Sequence, residues 1–212
     1  MEASFWHERW TSGRIAFHEG APNALLVKHW PALGMGRRVF VPLCGKAVDL
    51  IWLAAQGHDV VGAELDPIAV EAFYAENGLT PTRTQHGELT LFEAGEISIW
   101  QGDIFALTAE RLGPVDAVFD RAALVALPAE MRVSYAAHCA ALTHAAPQLL
   151  ITYEYANPKM KGPPHSVPAD EVQAHYTGAY DVRELERCDI SGPLTTRTSG
   201  SEAVYHLARR ID

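Results

Sequence analysis

Residues Val39–Asp66 read VFVPLCGKAVDLIWLAAQGHDVVGAELD, and the way this stretch divides decides the fold. Val39 to Leu43 is a short β-branched and apolar run that Cys44-Gly45 breaks. Ala47 to Gln56 is apolar almost all round, the pattern of a helix packed between a sheet and other elements. Gly57 stands where a helix C-cap glycine belongs, and His58 to Ala63 is a second β-rich run. Glu64 ends that run, nineteen residues after Gly45. A nucleoside-binding α/β unit sets its turn and its ribose-binding acid about this far apart. Pro42 cannot donate to a ladder, so the first strand is expected to leave the sheet there.

Working outward, Asp66 is an N-cap, Pro67 a first helical residue and Gly78 a stop. Leu89 to Gln101 is a hairpin around Glu93-Ala94-Gly95, leading into Gly102-Asp103-Ile104-Phe105. Val115 to Phe119 is a strand closed by Asp120-Arg121. A helix over Pro128–Ala145, a strand over Gln148–Tyr155, a Pro/Gly/Lys loop over Asn157–Pro168 and a helix over Pro168–Gly178 follow. Tyr180–Asp189 and Ala203–Arg209 are strands with no helix between them. Such alternation predicts an α/β fold with one mostly parallel sheet and helices on both faces, the last two strands pairing antiparallel at one edge. Upstream, residues 1–34 form an arm with five aromatics: Phe5, Trp6, Trp10, Phe17 and Trp30. Trp6 and Trp10 share a face if helical; the arm either staples itself to the domain or closes as an aromatic lid over a ligand. Asn23–Trp30 is a further short helix, ended by Pro31 and Gly34.

The 212 residues, with no repeat or linker, predict one domain spanning 1–212. A formal net charge of -9 disfavours nucleic acid and anionic membranes as partners. No apolar run approaches the ~18 residues of a membrane span, and the acidic start MEASFWHERW is no secretory signal. Three scattered cysteines, Cys44, Cys139 and Cys188, predict reduced thiols and a cytoplasmic location. None looks like a nucleophile, and the ten histidines have no metal-ligand spacing.

Three ligand chemistries compete for the Gly45 turn. A P-loop is rejected, because Gly45-Lys46 is followed by Ala47 and the position five before Gly45 is Phe40. A dinucleotide fold wants three glycines for close approach to a pyrophosphate, and this turn has one. A nucleoside cofactor without a diphosphate needs no such approach, and S-adenosylmethionine is the obvious one. Glu64 is placed to accept both ribose hydroxyls. Asp103 follows the third strand and suits an adenine amine beside an apolar wall. Asp120-Arg121 closes the fourth. All three lie at strand carboxyl ends, where open α/β sheets bind ligands.

The segments FWHERW (Phe5–Trp10), VFVPLCGKAVDLIWLAAQGHDVVGAEL (Val39–Leu65), FDRAALVALP (Phe119–Pro128) and KGPPHSVP (Lys161–Pro168) resemble the thiopurine S-methyltransferase family of bacterial type, a branch of the class I S-adenosylmethionine-dependent methyltransferases. The likeness covers nearly the whole chain. It implies a Rossmann-like, seven-stranded sheet whose seventh strand is antiparallel, S-adenosylmethionine as cofactor, and a monomer. By position, Trp10, Leu43, Glu64 and Arg121 match cofactor-contacting residues, Gly45 joins them as the glycine of the cofactor turn, and Asp103 and Ile104 fall where the adenine is held. Trp6 and Phe17 match the aromatic arm over the active site. Arg121, His165 and Arg197 fall near the acceptor, with Arg121 as the catalytic group; GPPHS carries a histidine where vertebrate members have an aromatic.

The implied reaction is methyl transfer to the sulfur of aromatic or heterocyclic thiols such as thiopurines, with selenium and tellurium oxyanions as further family acceptors and resistance to them as an associated property. An acidic heterocyclic thiol needs no strong base; it needs positioning, water exclusion and cations that keep it a thiolate. Two other functions compete: an S-adenosylmethionine-binding sensor without catalysis, and a nicotinamide-dependent oxidoreductase. The single-glycine turn and the lack of a Tyr/Lys set stand against the second.

Overall fold

A computed structural model describes residues 3–15, 18–157 and 159–210, so Phe17 lies outside the described residues. The chain divides into two compact units, one ending at Val118 and one beginning at Phe119. No described helix is long and apolar enough to cross a membrane.

The first unit begins with α1 (Ala3–Thr11) and α2 (Ala24–His29). Asn23 caps α2 by accepting from the Leu25 and Leu26 amides, and Gly34 ends the following 3-10 turn in a left-handed conformation. β1 (Arg38–Val41) stops one residue before Pro42, as the missing donor requires. α3 (Asp49–Ala55), β2 (Asp59–Glu64) and α4 (Pro67–Glu76) follow, with Asp66 Oδ1 accepting from the Ile68 amide as N-cap. β3 (Thr82–His86), β4 (Leu89–Ala94), β5 (Ile97–Gln101), the short α5 (Ala109–Leu112) and the start of β6 (Ala117–Arg121) complete the unit.

Strand order is β3-β4-β5-β2-β1-β6. The β5-β2-β1-β6 block is parallel, and β3 and β4 add an antiparallel hairpin to it. The β4–β5 hairpin was expected; β3 was not. TRTQH carries no apolar alternation, because this strand is exposed along almost its whole length. With it, the described residues hold nine strands.

The parallel block owes its close packing to one small residue. A Cβ on Gly62, in β2, would stand 2.7 Å from Cys44 Sγ and 3.3 Å from Ile99 Cγ1. Gly62→Ala is therefore expected to cost about 1–3 kcal/mol in denaturant unfolding, as overpacked cores do. Adding Cys44→Ala should recover part of that loss; an additive double variant would mean the thiol is not the obstacle.

The second unit carries the end of β6, α6 (Ala129–Leu142), β7 (Gln148–Glu154), α7 (Ala169–Tyr176), β8 (Tyr180–Asp189) and β9 (Ser201–Arg209). The order is β7-β9-β8, and β9 is antiparallel to both neighbours. β6 runs two residues further than the sequence indicated: Asp120 and Arg121 are its last members rather than the loop after it. The core is the buried row Leu149–Leu150–Ile151 with Tyr135, Tyr176 and Tyr205.

Candidate active site

In the first unit, the expected cofactor residues Leu43, Gly45, Glu64, Asp103 and Ile104 lie at the carboxyl ends of β1, β2 and β5; Arg121 belongs to the second unit. The chain leaves β1 through Leu43 (φ 45) and Gly45 (φ 55), two left-handed residues. For leucine this conformation costs about 1–2 kcal/mol, and such strain concentrates at functional sites. Two bonds hold the turn: the Cys44 amide donates to Ala63 O at 2.9 Å and the Gly45 amide to Glu64 Oε2 at 2.8 Å. Glu64 Oε1 accepts from the Asp66 amide at 2.8 Å. One carboxylate thus ties the first turn to the start of α4. Each oxygen keeps a second lone pair for another donor.

Burial pushes the Glu64 carboxyl up to about 7, against the opposing pull of those two amides. A buried acid at a strand end that gains from additional donors suits a ribose diol. Beside it, the Gly102 amide donates to Glu64 O, and Gln101 Nε2 to Leu65 O, which brings the end of β5 alongside β2. Asp103 is exposed there and accepts from the Phe105 amide at 3.0 Å, while Ile104 is buried. The residues therefore fit an adenosyl group: a buried carboxylate with lone pairs to spare in Glu64, an exposed acid in Asp103 and an apolar side chain in Ile104.

The arm reaches this cluster. Trp10 is buried, and its indole lies over Gly45, with Cζ2 3.2 Å from the position of a Cβ there. Trp6 is half-buried and packs edge-on against Phe5, over which Arg9 sits. Between them, His7 Nδ1 lies 2.5 Å from Asp66 Oδ2. Nothing in the sequence pointed to this pair, which is separated by 59 residues.

In the second unit, FDRAALVALP runs from the end of β6 through a short 3-10 turn. Asp120 is buried; it accepts from Tyr135 Oη at 2.7 Å and from the Leu124 amide at 3.2 Å. Burial lifts its carboxyl to about 6 although both donors oppose the shift. Ala122, directly after Arg121, is left-handed (φ 62). Val125 O accepts from the His165 amide at 2.6 Å, and Leu127 O from Arg132 Nη1 at 2.9 Å. Arg132, buried, also forms a two-pronged ion pair with Glu171 of α7. The expected His165 is thereby fixed to the end of the Arg121 turn.

The GPPHS loop and the expected Arg197 also meet. Arg197 Nη1 makes a long contact of 3.4 Å with Pro163 O, and Asn157 Nδ2 donates to Arg197 O at 2.9 Å. Tyr155 Oη donates to Pro164 O at 2.7 Å. A cavity of about 580 Å³ opens here, lined by Pro128, Arg132, Tyr155, Met160 and His165 among others. The His165 imidazole is held below its ordinary pKa, first by burial and then by Arg132. Its Nε2 is buried without a hydrogen-bond partner among the described residues.

Solved structures share this fold. An S-adenosylmethionine-dependent methyltransferase from Anabaena variabilis superposes with a TM-score of 0.66 at 14% identity, over 98% of this chain and 95% of its own. The 1,6-didemethyltoxoflavin-N1-methyltransferase of Burkholderia thailandensis, solved with its substrate and S-adenosylhomocysteine, gives 0.67 at 13% identity over 97% and 87%. The fold is that of the class I S-adenosylmethionine-dependent methyltransferases. At the sequence level, the thiopurine S-methyltransferase family profile matches residues 1–210. Curated thiopurine S-methyltransferases of Xanthobacter autotrophicus and Teredinibacter turnerae are 51% and 45% identical, covering 99% and 100% of this chain and all of their own length. The chain belongs to the thiopurine S-methyltransferase family, whose methyl donor is S-adenosylmethionine.

Proposed function

We propose that this methyltransferase acts on the sulfur of small aromatic and heterocyclic thiols, thiopurines among them. The observation that carries the reading is the 51% identity to a thiopurine S-methyltransferase over the whole of both chains. The acceptor-side chemistry agrees with it. Asp120 is occupied by a phenol and an amide, and burial lowers the basicity of His165, so neither is arranged as a strong general base. A heterocyclic thiol supplies its own anion and needs none.

S-adenosylmethionine supplies a sulfonium methyl group. Glu64 would hold the ribose hydroxyls, Asp103 and Ile104 the adenine, and the Leu43–Gly45 turn with Trp10 would enclose the remainder. Arg121 would hold the acceptor as thiolate, since a guanidinium stays charged and favours an adjacent anion. Arg197 and His165, tied to one loop, would orient the heterocycle and exclude water. A cationic donor and an anionic acceptor give neutral products, so a dry site favours the transition state over the separated ions.

Labelled-methyl transfer from S-adenosylmethionine, screened over aromatic thiols, thiopurines, phenols, amines, selenite and tellurite, tests the reading. Transfer to thiols well above phenols and amines is expected. Cofactor binding without transfer to any acceptor would instead favour a sensor. Preference for an oxygen or nitrogen acceptor would overturn the assignment of sulfur.

A further inference from the structure

We infer that His7 is a positioning residue that couples docking of the N-terminal helix to occupation of the Glu64 carboxylate. The inference rests on the reading of Glu64 as the ribose acceptor. It comes from a closed circuit of contacts within the first unit. His7 and Trp10 are three residues apart on α1 and so share a face. His7 Nδ1 meets Asp66 Oδ2 at 2.5 Å, and the Asp66 side chain is fully buried while the imidazole is about half exposed. The Asp66 amide donates to Glu64 Oε1, and Glu64 Oε2 accepts from the Gly45 amide. Gly45 in turn carries the Trp10 indole, which returns the circuit to α1.

The two seats of the helix are thus the two residues that one carboxylate holds. Donors arriving from a ribose diol fix that carboxylate in its ionised form and present geometry. This fixes the Gly45 turn and the Asp66 cap together, and α1 seats on both. The reverse also follows: a seated α1 preorganises the carboxylate before the cofactor arrives. Linkage makes the two effects equal, so whatever factor the cofactor adds to helix docking, docking adds to cofactor affinity. Asp66 leaves Oδ2 for His7 because Oδ1 is used to cap α4, so the latch does not compete with the cap.

The test uses the full chain with S-adenosylhomocysteine as probe. In the wild type, hydrogen exchange of the α1 amides should slow by roughly fivefold on saturation, at the low end of ordinary coupling between sites. His7→Ala should lose most α1 protection and bind the probe about fivefold more weakly. Its KM for S-adenosylmethionine should rise with little change in kcat. His7→Gln, which keeps a donor within reach of Asp66, should recover most of both. Wild-type α1 exchange that ignores the probe would overturn the coupling, and this arm does not depend on how any variant folds. So would a His7→Ala chain that binds the probe normally. If Glu64→Gln weakens binding and His7→Ala does not, the latch alone fails; if neither does, the ribose assignment fails first.

Discussion

Glu64→Gln is expected to weaken S-adenosylhomocysteine binding by about 10- to 100-fold, since two charge-assisted hydrogen bonds lose their charge. The pH dependence gives a sharper check than the magnitude. The Glu64 carboxyl sits at about 7 in the folded protein, raised from its ordinary 4.5 by burial. A ribose diol donates two hydrogen bonds and so selects the ionised form. Below pH 7 the wild type should therefore lose affinity toward tenfold per pH unit, and above it affinity should level off. Binding near neutrality should release a proton, which calorimetry in buffers of different ionisation heat would register. Both signatures should vanish in Glu64→Gln. A pH-independent wild type, or a Gln variant of unchanged affinity, would remove Glu64 from the ribose.

The same residue governs stability in the opposite sense. Glu64 and Asp120 have folded-state values of about 7 and about 6, above their ordinary 4.5 and 3.8. Each holds its proton more tightly folded than unfolded. The stability from this source is complete below the unfolded values and declines as pH rises through 6 to 7. Saturating cofactor should flatten that decline, because it stabilises the charged Glu64 in the fold alone. The decline should persist with Glu64→Gln in proportion to Asp120.

Why these acids were visible in sequence while their partners were not is a matter of range. Val39–Asp66 declared itself through local signals: β-branched runs, an all-round apolar helix, a C-cap glycine, an N-cap aspartate before proline. Each signal spans a few residues, and β1, α3, β2 and α4 fall within two residues of the expected limits. Edge strand β3 failed because exposure on both faces removes the alternation that betrays a strand. β6 was cut short because Asp120 and Arg121 look like loop residues. The buried acid in this strand is satisfied by Tyr135, from the following helix, and by the Leu124 amide.

Pairs such as His7–Asp66 and Arg132–Glu171 join residues 59 and 39 apart. Spacing contains no trace of such contacts. FWHERW carried the family likeness and hid its own middle residue: the flanking tryptophans drew the reading, whereas the histidine makes the bond. For the acceptor side, GPPHS marked the loop, but its fastenings run through backbone carbonyls: Val125 O takes the His165 amide, and Pro163 O faces Arg197. Sequence is blind to which carbonyl a loop will use.

Arg121→Ala should reduce kcat/KM for a thiol acceptor by an amount that depends on the acceptor's own acidity. A guanidinium beside the sulfur lowers a thiol pKa by about 1–3 units, and below both values the thiolate fraction rises by the same power of ten. The stabilised thiolate is also less nucleophilic, with a Brønsted slope of about 0.4–0.5, so roughly half of the logarithmic gain is returned. The net loss in Arg121→Ala is then about 3- to 60-fold at a pH below the acceptor's pKa. It should shrink toward unity for thiols that are already ionised in water. The pH at which the rate levels off should move up toward the free thiol's pKa. Arg121→Lys should keep much of the pKa effect, as it keeps the charge, yet lose orientation, as it lacks the planar fork. Arg121 also matches a cofactor-contacting position, and the acceptor series separates the two roles. A loss identical for every thiol and equal to the loss in cofactor affinity would assign the guanidinium to the cofactor. A loss graded with acceptor pKa assigns it to the sulfur, because only a group that sets the thiolate population is indifferent to an acceptor that is already charged.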